Sequence, residues 1–224
     1  MKKFELTAEF VTNVFGKKLF RIKALVAFGN VEKGELGGFI EKEDNLSHDG
    51  DAWVSGNAQV SGNARVCGDA QVSGNAQVSG NARVCGDAQV SGNARVCGDA
   101  RVCGNARVCG NAQVSGNAQV YGNAQVYGNA RVCGNAQVSG NADYAVVAGF
   151  GRYFRTTTFF RCKDKILRVQ CGCFYGDLAQ FREIVKKTHG DSKYAKEYLA
   201  IADLMELHFS DKCGGEQMND GKIY

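Results

Sequence analysis

The stretch Gly56-Asn57-Ala58-Gln59-Val60-Ser61 recurs with limited substitution from Gly50 to Ser139. A valine stands at every sixth position from Val54 to Val138. Around each one the chain reads Gly-(Asn/Asp)-Ala-(Gln/Arg)-Val-(Ser/Cys/Tyr), with Trp53 the one departure at its place. A strict short period is the mark of a solenoid. Within a unit, Ala-Gln-Val-Ser alternates small or apolar with polar, so Ala58 and Val60 face one way and Gln59 and Ser61 the other. Gly-Asn then breaks the strand, because Gly takes positive φ freely and Asn visits that region more readily than most residues. Identical units repeated in one direction favour parallel stacking over hairpins.

Three units per turn give an 18-residue coil, and the fifteen valines then make five regular turns. Stacked at about 4.8 Å per strand, the prism stands about 24 Å tall. Its predicted interior columns are Val54-72-90-108-126, Val60-78-96-114-132 and Val66-84-102-120-138. Arg before the valine always accompanies Cys after it, as in Arg65/Cys67, Arg83/Cys85 and Arg101/Cys103. Duplication of a longer cassette explains that coupling better than any physical demand does.

The two ends leave the period. Residues 1–50 are predicted as a β-hairpin cap, with alternation at Phe4, Leu6, Ala8 and Phe10 and again at Phe20, Ile22 and Ala24 around a turn at Asn13 to Lys17. An irregular first coil through Ile40 and Leu46 follows, with a two-residue insertion before Val54. Residues 51–143 form the solenoid. Residues 144–212 are predicted as a small α+β domain: two strands around Lys163-Asp164-Lys165, then two helices. Asp177 caps the first helix with Gln180 in the capping-box position, Gly190 stops it, and Ser192 caps the second. Residues 213–224 are expected to form a flexible tail. The fold class is therefore mainly β, a solenoid with appended caps that close its open ends.

The chain has no proline, against an average of about 5%. Ladder donors are needed throughout the coils, which explains part of that absence. A net charge of +4 neither demands nor excludes an anionic partner. With no apolar leader after Met1 and no run of transmembrane length, a cytoplasmic protein with no membrane contact is expected. Ten cysteines in such a compartment read as free thiols.

The repeat Val-Ser-Gly-Asn-Ala-Gln resembles that of left-handed parallel β-helix (hexapeptide-repeat) proteins. The resemblance covers roughly 90 residues and supplies both the handedness and an expectation of homotrimers. The segment Gly37-Gly-Phe-Ile-Glu-Lys-Glu-Asp-Asn-Leu-Ser with Asp51-Ala-Trp-Val, and the segments Cys171-Gly-Cys-Phe-Tyr-Gly, Lys187-Thr-His-Gly and Tyr194-Ala-Lys-Glu-Tyr-Leu, are similar to uncharacterised hexapeptide-repeat proteins of phages and prophages. This implies a phage-borne accessory protein in the bacterial cytoplasm, and it supplies no activity.

Four functional readings compete. Acyl transfer is common among left-handed β-helices and uses a histidine base. The repeat holds no histidine, which leaves His48 at the junction as the best-placed base, beside His189 and His208. Metal binding has weak candidates in Cys162, Cys171, Cys173 and His189, but Cys-x-Cys is not a usual zinc spacing. The outward column Arg65, Arg83 and Arg101 could meet phosphates, although a solvated face beside Asp69 and Asp87 accounts for it more simply. Capture of a host protein or small ligand is preferred, with Tyr121, Tyr127, Trp53 and the arginines as anchors. Packing of the tyrosines on the C-terminal domain is an equal alternative for that pair. The expected role is non-catalytic and cofactor-free, with antagonism of a host defence as the expected setting; an acyltransferase-like enzyme or its degenerate descendant is the runner-up.

Overall fold

The computed structural model describes residues 2–210, so the tail expected from 213 onward lies outside the described residues. Three strands come first: β1 (Phe4–Thr12), β2 (Lys18–Ala24) and β3 (Leu36–Ile40). Fifteen two-residue strands follow, one per hexad, from β4 (Trp53–Val54) and β5 (Gln59–Val60) to β17 (Arg131–Val132) and β18 (Gln137–Val138). The chain closes with β19 (Tyr144–Phe150), β20 (Arg155–Arg161), β21 (Leu167–Cys171), β22 (Phe174–Asp177), α1 (Leu178–His189) and α2 (Lys193–Ser210).

The fifteen short strands sort into three parallel files, each pairing valine directly over valine. Val54 pairs with Val72, Val60 with Val78 and Val66 with Val84, so the coil holds 18 residues and the interior columns are those the period predicts. Every alanine and valine of the repeat is fully buried. The protein is thus mainly β, a parallel β-solenoid with an antiparallel domain and two helices at its C-terminal end.

The corners divide their labour more sharply than the sequence suggests. Only glycine takes positive φ in the repeat; Asn and Asp do not. At Gly80, φ is +73° and a Cβ would lie 2.9 Å from the N and O atoms of Gly98 in the next coil. The asparagines instead form ladders: Asn75 Nδ2 donates to Asn93 Oδ1 at 3.2 Å, Asn93 to Asn111 at 3.1 Å and Asn111 to Asn129 at 3.0 Å. The expected left-handed asparagine is therefore corrected. Glycine alone makes the bend, which leaves the amide free to bond along the axis.

Ile40 pairs with Val60 and Leu46 bridges to Val66, which places the two-residue insertion between Leu46 and Val54. Strand β3 runs parallel to β5, and β2 and β1 add antiparallel beyond it, so the N-terminal cap continues one face of the prism. In the sequence this segment shows its glycines and, in Ile40, the start of the coil period, and nothing there marks it as the partner of β2.

A cut solenoid exposes ladder carbonyls at one end and ladder N–H groups at the other, and unpaired buried groups are costly. At the N-terminal end the cap supplies donors. Lys3 Nζ donates to the Gly50 and Ala52 carbonyls at 3.0 and 2.9 Å, and Asn45 Nδ2 donates to Gly62 and Ala64 at 3.1 and 2.8 Å. At the C-terminal end the cap supplies acceptors. Asn141 Oδ1 accepts from Gln125 N–H and Thr158 Oγ1 from Arg131 N–H, both at 3.0 Å; Asp143 Oδ2 accepts from Ser139 N–H at 2.8 Å.

Strand β20 seals that end by alternation. Phe160 joins the solenoid core with Tyr144 and Cys162, while Phe159, facing the other way, joins the core of the α+β domain with Val169, Phe181 and Ala202. The helix signals hold. Asp177 accepts from Gln180 N–H at 2.8 Å and Gln180 Oε1 accepts in return from Asp177 N–H at 3.0 Å, Gly190 stops α1 at φ +54°, and Ser192 Oγ accepts from Ala195 N–H at 3.4 Å.

Cys133, over the sealed end, has its pKa pushed up to about 11, first by burial and then by the neighbouring Cys162. A thiol raised in the folded state protects the fold below its ordinary value near 9, and that protection is lost as pH climbs through 11. Raising pH from about 9 to about 11 should therefore cost stability. For Cys133 alone this is about 1–2 kcal/mol once partial exposure is discounted. Burial lowers the pKa of Lys3, which works in the opposite direction. Urea midpoints of wild type and Cys133→Ser across this range should show a flatter decline in the variant.

Candidate functional site

The α+β domain carries an apolar pocket of about 200 Å³. Phe174, Phe181, Ile184 and Val185 form its floor, and Arg152, Tyr153, Arg155, His189 and Tyr198 stand around it. The floor follows from local sequence. The α1 stripe turns Phe181 and Val185 inward, and Ile184, one step round, stays 39% exposed at the pocket edge. The rim comes from the β19–β20 turn. Gly151 (φ +73°) lies so close to the Tyr198 ring that a Cβ there would overlap it, and its N–H donates to Glu197 Oε2 at 2.8 Å. The first half of α2 thus holds this turn in place.

Beyond Gly151 the turn presents exposed aromatics. Tyr153 is 62% and Phe154 72% exposed, and Phe154 has positive φ (+49°), a costly conformation for a bulky residue. Such strain persists where the surroundings impose it, and it tends to mark binding sites. Arg152 and Arg155 lie 5.5 and 5.0 Å from the Tyr153 ring centroid, as cation–π partners. Burial, then the neighbouring Cys171, pushes the Tyr198 hydroxyl up to about 12, and this hydroxyl donates to the Phe150 carbonyl at 3.5 Å. An apolar floor beneath two guanidinium groups suits a ligand with an apolar body and an anionic edge.

A second concavity, a groove of about 450 Å³, lies where the first coil meets the repeat and is lined by Glu43, Asp44, His48, Arg65, Cys67 and Arg83 among others. His48 is tied on both sides. Nδ1 accepts from Lys3 N–H at 3.2 Å, Nε2 lies 3.9 Å from Glu43 Oε1, and the ring stacks on Phe4 at 4.4 Å. This engagement suits a junction staple better than a base reaching toward an acyl acceptor.

The sequence-predicted residues distribute as follows. Arg65, Arg83 and Arg101 form an in-register outward file. Tyr127 is 59% exposed and meets Tyr144 edge-on at 6.4 Å, while Tyr121 is half-buried. Trp53 is not on the surface. At 2% exposure it is covered by the segment before β3 and meets Phe28 edge-on at 5.4 Å, so the expectation of an exposed anchor there is corrected. The proposed metal quartet is divided: Cys171, Cys173 and His189 share the pocket, whereas Cys162 bridges to Ala136 at the solenoid end. Among the described residues no group of three His, Cys, Asp or Glu side chains is placed to hold a metal ion. Sequence reasoning misses Arg152, Tyr153 and Arg155; their one signal is the Arg-Tyr-Phe-Arg cluster in an otherwise turn-like stretch after Gly151.

Comparison with known families agrees with the coils. A family model described as YdcK Beta solenoid repeat matches residues 58–74, 76–88, 88–104, 100–116, 118–134 and 124–140. The repeat segment is a parallel β-solenoid, similar to that repeat model, and the matches lie within the coils and reach neither cap. No curated protein matches the chain. No helix of the described residues is long and apolar enough to cross a membrane.

Proposed function

We propose that this protein is a non-catalytic binding scaffold, in which the solenoid is a rigid body and the pocket of the α+β domain takes the ligand. The ligand is an apolar or aromatic group bearing negative charge, on a host protein or a small molecule. The observation that carries this reading is the combination of a strained, aromatic turn with two arginines over an apolar floor. The phage or prophage setting, action in the bacterial cytoplasm against a host defence, and assembly as a trimer belong to the same proposal and rest on resemblance. Native mass spectrometry of protein from a bacterial host reads the subunit count and any retained ligand together.

The test uses 8-anilinonaphthalene-1-sulfonate, an aromatic anion, as probe. Wild type should bind it, and Arg152→Ala/Arg155→Ala together should weaken binding by about tenfold, roughly 1.4 kcal/mol. Ile184→Asp should weaken it further; the side chain is 39% exposed, and a thermal melt checks that the variant is folded. Equal binding by all three proteins would rule out this pocket as the ligand site.

A further inference from the structure

One outward file of the solenoid carries thiols on three successive coils. Cys67, Cys85 and Cys103 each follow a valine of the same sheet, and that sheet is strictly in register, with Arg65 over Arg83 over Arg101 and Val66 over Val84 over Val102. The ladder continues through the cysteines themselves: Cys67 N–H donates to Val84 O at 3.0 Å and Cys85 N–H to Val102 O at 2.9 Å. All three thiols are free and half-buried. The other repeat cysteines differ. Cys97 stands between Ser79 and Ser115 in its file, Cys109 between Ser91 and Tyr127, and Cys133 follows Ser115.

We propose that this file is a binding site for soft monovalent metal ions of the copper(I) class, each held in linear two-coordination between thiolates of adjacent coils. Side chains on neighbouring in-register strands stand about 4.8 Å apart. Two metal–thiolate bonds no longer than the zinc–sulfur length of about 2.3 Å, laid end to end, approach that distance, and the cysteine rotamers close the remainder. Thiolate is the ligand type that selects copper(I). Two-coordination needs no third ligand, in keeping with the lack of three-ligand clusters among the described residues. When one ion bridges two cysteines, two S–H bonds break, two S–metal bonds form and two protons leave to solvent. The bridged unit then carries one negative charge. The arginine file two residues upstream, Arg65 over Arg83 over Arg101, supplies the counter-charge.

The test titrates the full-length reduced protein anaerobically with copper(I) buffered by a competing chelator. Cys85 is shared by both bridges the file can form, so Cys85→Ser should lose at least tenfold in affinity for the tightest ion. Cys97→Ser and Cys109→Ser should match wild type. Serine occupies the same place in other hexads, such as Ser61 and Ser73, so these variants keep a residue the coil already accepts. Circular dichroism melts check this directly. The thiols outside the repeat are common to all the proteins and cancel in the comparison. Wild-type affinity in Cys85→Ser, or equal losses in all three variants, would overturn the proposal.

Discussion

Replacing Trp53 with alanine should cost about 3–5 kcal/mol, the range for truncating a buried large aromatic side chain. The ring is 2% exposed, packs edge-on against Phe28 at 5.4 Å and belongs to the continuous core of the coils and N-terminal cap. Its indole N–H has no hydrogen-bond partner, so the ring carries the stabilisation. Trp53→Phe should accordingly stay within about 1–2 kcal/mol of wild type, since no hydrogen bond is lost and most of the apolar area remains. Urea unfolding of the three proteins distinguishes the cases. Trp53 is the only tryptophan, so blue-shifted, poorly quenched emission in the wild type reports the docked cap independently. A Trp53→Ala protein as stable as wild type would return this residue to the surface.

Gly80→Ala should cost about 2–4 kcal/mol. The left-handed conformation alone penalises a residue with a Cβ by about 1–2 kcal/mol. The remainder arises because the new methyl would sit 2.9 Å from the backbone N and O of Gly98, which cannot move without shifting the next coil. Gly128 is the internal control: φ is +67°, but no neighbour lies within 4 Å of where the methyl would stand. Gly128→Ala should therefore lose only the conformational part, about 1–2 kcal/mol. Thermal or urea unfolding of the two variants measures the difference. Equal losses at the two sites would mean that successive corners do not stack closely.

Much of this architecture is legible because the period is redundant. Each valine repeats the same statement about inside and outside, and Ile40 and Leu46 extend it into the irregular coil despite the insertion. The capping signals around Asp177, Gly190 and Ser192 are local, and local chemistry survives in a linear reading. Contacts between distant segments do not. Lys3 meets carbonyls of Gly50 and Ala52, more than forty residues away, and nothing near Lys3 marks it as a cap donor. Trp53 occupies a place where other hexads carry an outward-facing Gln or Arg; only the packing of Phe28 and Val31 reveals that this first coil is covered. The pocket draws on the turn after Gly151, the turn at Cys173 and both helices, so its parts lie up to 46 residues apart in the chain. The asparagine ladders had a visible signal, Asn or Asp in every hexad, but the same pattern also reads as turn chemistry.

A crystal structure of the full chain tests the central claim most directly, through the positions of Asn57, Asn75, Asn93, Asn111 and Asn129. These five residues should stand in one straight file at about 4.8 Å per step, with Val60, Val78, Val96, Val114 and Val132 filed beside them in the interior. A coil of any other length, or antiparallel pairing between neighbouring hexads, would scatter both files and contradict the stacked prism.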